Sequence, residues 1–166
     1  DEHRDWADLI HIAEDCGISF AALHGRTRAQ LYTGQSKLPR IDDNIKIPMI
    51  GNGDIKTIDD VKKVFELGFS GAMLGRAMLG RPWVIGVLTG ACKTPAQVGP
   101  VVLRHLEYML EYYGERNAVQ MFRKHAAWYS AGMHDSTAFR IKVNQISDAK
   151  TLKAEICKFW GCEVDI

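Results

Sequence analysis

The chain has 166 residues, 46% hydrophobic and 25% charged, with a formal net charge of +1. This is the composition of a globular chain with enough apolar material for one domain or two small ones. A charge this close to zero excludes a global field for nucleic acid, so any basic surface has to be local. No apolar run approaches the ~20 residues of a membrane span and the opening residues show no secretory pattern, so no membrane partner is expected. The cysteines, Cys16, Cys92, Cys157 and Cys162, have no CxxC spacing. They read as reduced cytoplasmic thiols, mostly buried, and no metal site is expected. The sequence begins with Asp1, which suggests a piece of something longer.

In chain order, residues 5–16 read as a helix with Asp5 as N-cap, an apolar stripe of Trp6, Leu9, Ile10 and Ala13, and Gly17 as C-cap. Residues 18–23 are small and apolar and suit a strand buried on both faces. They lead into His24-Gly25-Arg26-Thr27-Arg28. Residues 29–46 are less regular. Tyr32-Thr33-Gly34 reads as a loop, Pro39 falls where a crossover helix belongs, and 40–45 allow about a turn and a half of helix. A second strand covers 47–51 and runs into Gly51-Asn52-Gly53-Asp54. Thr57 then caps a helix over 58–67, with Asp60 completing a capping box. Its apolar stripe is Ile58, Val61, Val64 or Phe65, and Leu67, and Gly68 ends it. A third strand, 71–75, leads into Gly75-Arg76, a short helix near 77–81, and Pro82-Trp83.

Strand, turn and helix recur at about 30 residues per unit, the spacing of a (β/α) barrel or a doubly wound sheet. Parallel strands need crossovers, so the three polar turns open at one sheet edge, where α/β proteins hold ligands. Three strands cannot close an eight-stranded barrel. If this is barrel material, it is the last three-eighths of one. After Pro100 only helical stripes remain: Leu103, Leu106, Leu110 and Tyr113, ended by Gly114; residues 117–131; Phe139, Val143 and Ile146; and Leu152, Ile156, Phe159 and Trp160. The fold class is therefore α/β plus all-α, a partial (β/α) barrel or doubly wound sheet over 1–90 and a small helical bundle over 100–166, joined by a linker marked by Gly90, Pro95, Gly99 and Pro100.

Backbone amides reach a phosphate only where no side chain blocks them, which Gly53 and Gly75 allow. Arg76 adds a guanidinium fork, and the helix after it points an N-terminus at the same anion. Asn52 and Asp54 suit hydroxyls of a sugar or ribityl chain. Read singly, these glycines are tight turns and Arg76 a surface charge; read together, they form a phosphate site. His24, at a strand end on the same edge, is either a satisfied structural group or a donor to a bound ring or carbonyl. Arg26 and Arg28 either pair with acidic neighbours or reach an anionic ligand or RNA. Arg123-Lys124-His125 and Arg140-Ile141-Lys142, near Trp128, Tyr129 and Phe139, suit an RNA backbone or a solvated helix face. The expected active edge carries no cysteine, no nucleophile–base pair, no P-loop lysine and no HExxH. A phosphate anchor without a reactive group fits a cofactor that supplies the chemistry.

The segments HGRTRAQLYTG, PMIGNGDI and GAMLGRAMLGRPW, in this order and spacing, resemble the carboxy-terminal part of bacterial tRNA-dihydrouridine synthases. FRKHAAWY in the tail, and Phe139, Arg140 and Asn144 as FR-x₃-N, extend the likeness over roughly residues 1–160. The resemblance implies an FMN-binding TIM barrel followed by a helical tRNA-binding domain. It also implies NADPH as reductant, hydride delivery to C6 of a flipped-out uridine, and protonation at C5 by a cysteine. It implies His24 near the isoalloxazine, Asn52, Gly53 and Asp54 around the ribityl phosphate, and Gly75 and Arg76 on the phosphate. It makes Arg123, Lys124 and Arg140 candidate tRNA contacts. The family's catalytic cysteine, flavin-contacting lysine and first FMN loop would all precede residue 1. The chain alone is therefore expected to be inactive and to expose the apolar inside of a partial barrel. Two other readings are a non-catalytic RNA-binding remnant with a vestigial half barrel, and an FMN barrel acting on a small molecule. The basic helical tail argues against the latter.

Overall fold

The computed structural model describes residues 6–31 and 33–163, so the expected Asp5 cap and Tyr32 lie outside the described residues. The chain divides into two compact units, Asp1–Met78 and Leu79–Ile166.

The first unit is a three-stranded parallel sheet in the order β1-β2-β3, where β1 is Ala21–His24, β2 is Met49–Asn52 and β3 is Gly71–Met73. Pairing is in register: His24 lies opposite Asn52, and Asn52 opposite Met73. Helix α1 (Trp6–Asp15) precedes β1, and α2 (Ile58–Glu66) crosses from β2 to β3. Side chains alternate across a strand. Met49 therefore faces a core with Ile10, Ile55, Val64 and Phe69, packed by Ala21, Leu23, Leu38 and Ala72. Gly51 shares that face because a Cβ there would stand 2.7 Å from Val64 Cγ1. Without a side chain at 51, α2 lies close against the sheet.

The opposite face, with Ala22, His24, Ile50, Asn52 and Met73, is open. This corrects the expectation of a first strand buried on both faces. In β1 only Ala21 and Leu23 are partly covered, Ala22 and His24 are exposed, and Phe20 just before the strand is 60% exposed. The α1 stripe narrows as well: Ile10 is buried while Leu9 is exposed. In α2, Val64 rather than Phe65 enters the core and Ile58 is exposed. The sheet is packed on one face only, so strand residues on the other face and helix residues turned away from the sheet stay exposed.

The link from β1 to β2 contains no helix among the described residues, so the turn and a half expected over 40–45 is absent. Pro39 removes a backbone donor. Asp42 closes an Asx turn instead, accepting from the Asn44 amide at 2.9 Å. The Ile41 amide donates to the Leu67 carbonyl at 2.8 Å, and Leu38 and Ile41 fill the core place of the missing helix. Glu14 of α1 secures the entry to β2 by accepting the Ile47 amide at 3.0 Å. The capping box of α2 is formed: Thr57 Oγ1 accepts from the Asp60 amide and Asp60 Oδ2 accepts from the Thr57 amide. After β3 the chain makes one 3₁₀ turn, Arg76–Met78, shorter than the helix expected over 77–81.

In the second unit the expected linker holds a short helix, α3 (Val84–Leu88). Four helices follow: α4 (Gly99–Tyr113), α5 (Glu115–Tyr129), α6 (Ser136–Gln145) and α7 (Ala149–Trp160). Their core is Val102, Leu106, Met109, Phe122, Ala126, Phe139, Val143, Leu152 and Ile156. On α4 the buried stripe is Val102, Leu106 and Met109; Leu103 and Leu110 border it and Tyr113 is exposed. Asp148 caps α7 through the Thr151 amide at 2.8 Å, and Glu115 reaches the Ala149 amide at 2.8 Å. Phe139 stacks on Phe159 at 4.2 Å with Trp160 edge-on to both. The cysteines are not mostly buried: Cys16 and Cys92 are exposed, Cys162 is half-buried and Cys157 is buried.

Inside the bundle His105 Nδ1 and the Tyr129 hydroxyl are 3.1 Å apart, and the His105 and His125 rings are 4.5 Å apart. Burial holds both imidazoles below the usual histidine range, with the neighbouring His105 and Lys124 charges adding for His125, and pushes Tyr129 up to about 12. For a group whose folded pKa is depressed, the stabilisation is present above the unfolded value of about 6.5 and is lost as pH falls through the lower folded value. The melting temperature of the helical unit is therefore expected to fall between about pH 7.5 and 5, and less so in His125→Gln, as thermal melts across that range would read. Thr57→Ala is expected to cost about 1 kcal/mol by urea denaturation, through loss of the α2 cap.

Candidate functional site

The in-register sheet brings the three strand ends to one edge. His24 ends β1. Its Nδ1 lies 3.2 Å from the Asn52 carbonyl, which also accepts the Gly25 amide at 2.9 Å. A carbonyl only accepts, so Nδ1 carries a proton and Nε2 is left on the open face as an acceptor in the neutral ring. Donation from Nε2 to a ligand requires the doubly protonated ring. Asn52 ends β2, and its Nδ2 donates to the Met73 carbonyl at 2.7 Å, which ties β2 to β3 beyond the ladder.

Gly53 follows with φ +128°, a conformation closed to side chains. A Cβ at Gly53, or at Gly25, would overlap Ser36 Oγ. Ser36 thus sits between the first two turns, in the segment that replaces the crossover helix. Asp54 is left-handed at φ +53°, which Asp and Asn tolerate better than other non-glycine residues. Its Oδ2 accepts from Arg26 Nη2 at 2.5 Å and from the Ser36 amide at 3.0 Å, and its Oδ1 accepts from Arg76 Nη2 at 3.0 Å. Arg26 is fixed further by the Gly34 carbonyl, 2.8 Å from Nη2, and its side chain is only 4% exposed. Arg26 Nη1 and Ser36 Oγ are buried without a hydrogen-bond partner among the described residues. The hydrogen bonds from Arg26 and the Ser36 amide, then the Arg26 and Arg76 charges, hold the Asp54 carboxyl below the usual carboxylate range.

His24, Asn52, Gly53, Asp54, Gly75 and Arg76 all border one cavity of about 240 Å³. A Cβ at Gly75 would meet nothing within 4 Å, so the turn after β3 faces open space. The half-exposed Arg76 guanidinium stands at the rim. Two arginines against one carboxylate leave the site with net positive charge. Its size suits a phosphate and part of a polyol chain, and is below the 300–1,000 Å³ range of pockets that enclose whole drug-sized ligands. The residues present thus fit the phosphate end of a nucleotide cofactor. Asp54, expected to meet hydroxyls, instead directs both oxygens to protein donors. Arg26, left open between an acidic partner and a ligand, has the acidic partner. Ser36 was not singled out from the sequence, since its segment has no periodicity; glycines at both 25 and 53 were the one available sign of something packed between the turns.

The basic candidates of the second unit differ among themselves. Arg123, on α5, is half-buried and donates from Nη2 to the Ile146 carbonyl at 3.0 Å. Arg140, on α6, bonds back to the Ser136 carbonyl at 3.0 Å and to Thr137 Oγ1 at 3.2 Å. Lys124 is exposed. A larger opening of about 1,100 Å³ on this unit is bordered by Arg104, His105, Tyr108 and Tyr129. Glu107 on its wall pairs with Lys153. Among the described residues no cluster of His, Cys, Asp or Glu is placed to hold a metal, and no helix is long and apolar enough to cross a membrane.

A parallel sheet whose strand ends carry glycine turns and Arg76 around a small cavity, followed by a helical bundle, defines an α/β protein with an anion-compatible site. The dihydrouridine synthase (Dus) family matches residues 1–160, and the chain belongs to it. It is 38% identical over 167 residues to tRNA-dihydrouridine synthase B of Xanthomonas campestris, covering 93% of this chain and 49% of the relative. It is 35% identical over 172 residues to a probable tRNA-dihydrouridine synthase of Rickettsia conorii, covering 96% and 52%. With tRNA-dihydrouridine synthase B of Pseudomonas aeruginosa it shares 33% identity, covering 96% and 52%. The chain spans about half the length of the curated relatives it matches.

Because the folded pKa of Asp54 is depressed, its stabilisation is complete above the unfolded value of about 3.9 and disappears as pH falls through the folded value. Acid titration of the chain, followed by circular dichroism, is expected to show an unfolding step below pH ~4 that shrinks in Asp54→Asn.

Proposed function

We propose that residues 1–90 form the last three βα units of an FMN-binding TIM barrel and residues 100–166 a helical tRNA-binding domain. Together they serve an enzyme that reduces uridine to 5,6-dihydrouridine in tRNA with NADPH as reductant. The observation that carries this reading is the single cavity bordered by His24, Asn52, Gly53, Asp54, Gly75 and Arg76 at the carboxyl edge of the sheet, in a chain of the dihydrouridine synthase family. Carboxyl strand ends are where (β/α)8 enzymes hold ligands, and their common phosphate site lies in the loops after the last two strands.

In this reading the Gly53 and Gly75 turns let backbone amides approach the FMN phosphate, and Arg76 faces it with a charge-assisted fork. Asn52 orients the β2 and β3 ends. His24, held by the Asn52 carbonyl, presents Nε2 toward the isoalloxazine side. The chemistry supplied by bound FMN is hydride transfer between the nicotinamide and the C5–C6 bond of the pyrimidine. Protonation at C5 needs an acid. Among this chain's cysteines, Cys16 follows α1, Cys92 follows α3, and Cys157 and Cys162 belong to the helical unit; none stands at a strand end. The chain alone is therefore expected not to turn over, and an upstream half of the barrel supplies the acid. Lys124 and Arg123 on α5 and Arg140 on α6 contact the tRNA backbone.

The test is FMN binding, by quenching of flavin fluorescence, to this chain and to a version extended upstream. Binding by the extended chain, weakened about tenfold or more by Arg76→Ala as expected for loss of a charge-assisted contact, supports the reading. If neither chain binds FMN while the 166-residue chain retains tRNA in a filter-binding assay, the RNA-binding remnant replaces it.

A further inference from the structure

The geometry points to Asp54 as a positioning residue: its carboxylate does not touch the cofactor but clamps Arg26 and Arg76, and through them fixes Arg76 at the rim of the phosphate cavity. This inference rests on the FMN reading above and deepens it, by assigning a role to the one acidic side chain in an anion site.

Three observations carry it. The first is electrostatic. A carboxylate beside a phosphate is repulsive unless cations intervene, and here a cation lies on each side of it, with Arg26 Nη2 on Oδ2 and Arg76 Nη2 on Oδ1. The second is saturation. An ionised carboxylate has about four acceptor positions. Three are filled by Arg26, Arg76 and the Ser36 amide, which leaves little capacity for ligand hydroxyls. The third is topology. Arg26 follows β1, Asp54 follows β2 and Arg76 follows β3, so one carboxylate joins all three loops that shape the site. The strands are only four, four and three residues long, and the ladder ends at Asn52 and Met73. Beyond those residues the Gly25 amide on the Asn52 carbonyl and the Lys37 amide on the Gly25 carbonyl tie the loop after β1, and the Asp54 carboxylate ties in the loop after β3 through Arg76. Arg26 is anchored deepest, buried and bound to the Gly34 carbonyl, so it is the fixed end of the clamp and the half-exposed Arg76 the working end. The left-handed backbone at 54 agrees with this: it turns the side chain back toward the loops at a strain that Asp and Asn bear best.

The experiment is a double-mutant cycle of Asp54→Asn and Arg76→Ala, read as FMN affinity on whichever of the two chains above binds FMN. Asn suits the positive φ and preserves the shape, so the substitution removes charge and one strong acceptor without adding backbone strain. Melting temperatures verify folding, and Arg26→Gln, which removes the buried anchor, serves as an independent second variant. The expected result is that Asp54→Asn weakens FMN about tenfold in the wild-type background and less than about twofold in Arg76→Ala, with Arg26→Gln following the same pattern. In parallel, the Arg76 Nε–H signal in ¹⁵N NMR of the 166-residue chain is expected to broaden in Asp54→Asn. If the two losses multiply, Asp54 touches the cofactor itself and the inference is wrong. If Asp54→Asn lowers the melting temperature but leaves FMN affinity unchanged, its role is structural only and the inference is again wrong. Failure of the unsubstituted chains to bind FMN overturns the functional reading instead, so the two failures are distinguishable.

Discussion

Parallel pairing in register governs this molecule. Two parallel strands cannot be joined by a tight turn, so every connection must return the chain across a face of the sheet before the next strand begins. Every carboxyl end then lies at the same edge. With strands this short, the consequence is immediate: His24, Asn52 and Met73 stand side by side and, with residues 53–54 and 75–76 just beyond them, border one cavity, while Arg26 reaches Asp54 from the turn after β1. No single segment contains the site. It exists because three segments, each about 25 residues from the next, are forced to end together.

The same sheet divides its two faces sharply. On one, Met49 and its neighbours are closed over by α1, α2 and the non-helical segment with Leu38 and Ile41. Gly51 makes this closure tight, since any side chain there would press on Val64. The other face is exposed, with apolar Phe20, Ala22 and Met73 beside polar His24. A face with polar groups at its carboxyl edge and apolar groups below has the pattern of a barrel interior, where packed layers support a site at the top.

Charge in both units is arranged by pairing, and most cations that look available in the sequence have protein partners. Arg26 is engaged by Asp54 and two carbonyls, Arg123 by the Ile146 carbonyl, and Arg140 by its own helix. A guanidinium has five donors, so one such bond fixes its plane while leaving geometry for another partner. Lys124, by contrast, is exposed on α5. The distinction between an arginine held by protein acceptors and an exposed lysine lies in these bonds, and no count of basic residues contains it.

The three parallel strands with the helix between the last two, the capping box at Thr57 and Asp60, the four carboxy-terminal helices and the gathering of His24, Asn52, Gly53, Asp54, Gly75 and Arg76 at one edge were all legible in the sequence. Each rests on a local rule: periodicity, a cap, a glycine where a turn demands it, or the obligatory direction of a parallel crossover. Tertiary structure alone decided the rest. Whether Val64 or Phe65 turns inward depends on how α2 is rotated against the sheet. The path from β1 to β2 without a helix depends on Leu38 and Ile41 finding core positions that a local pattern cannot reveal. That Asp54 pairs with two arginines depends on residues 28 and 22 positions away, and its further partner is Ser36, which no motif marks. Local sequence specifies which groups arrive at the edge; only the packed chain specifies which of them have already been satisfied by one another.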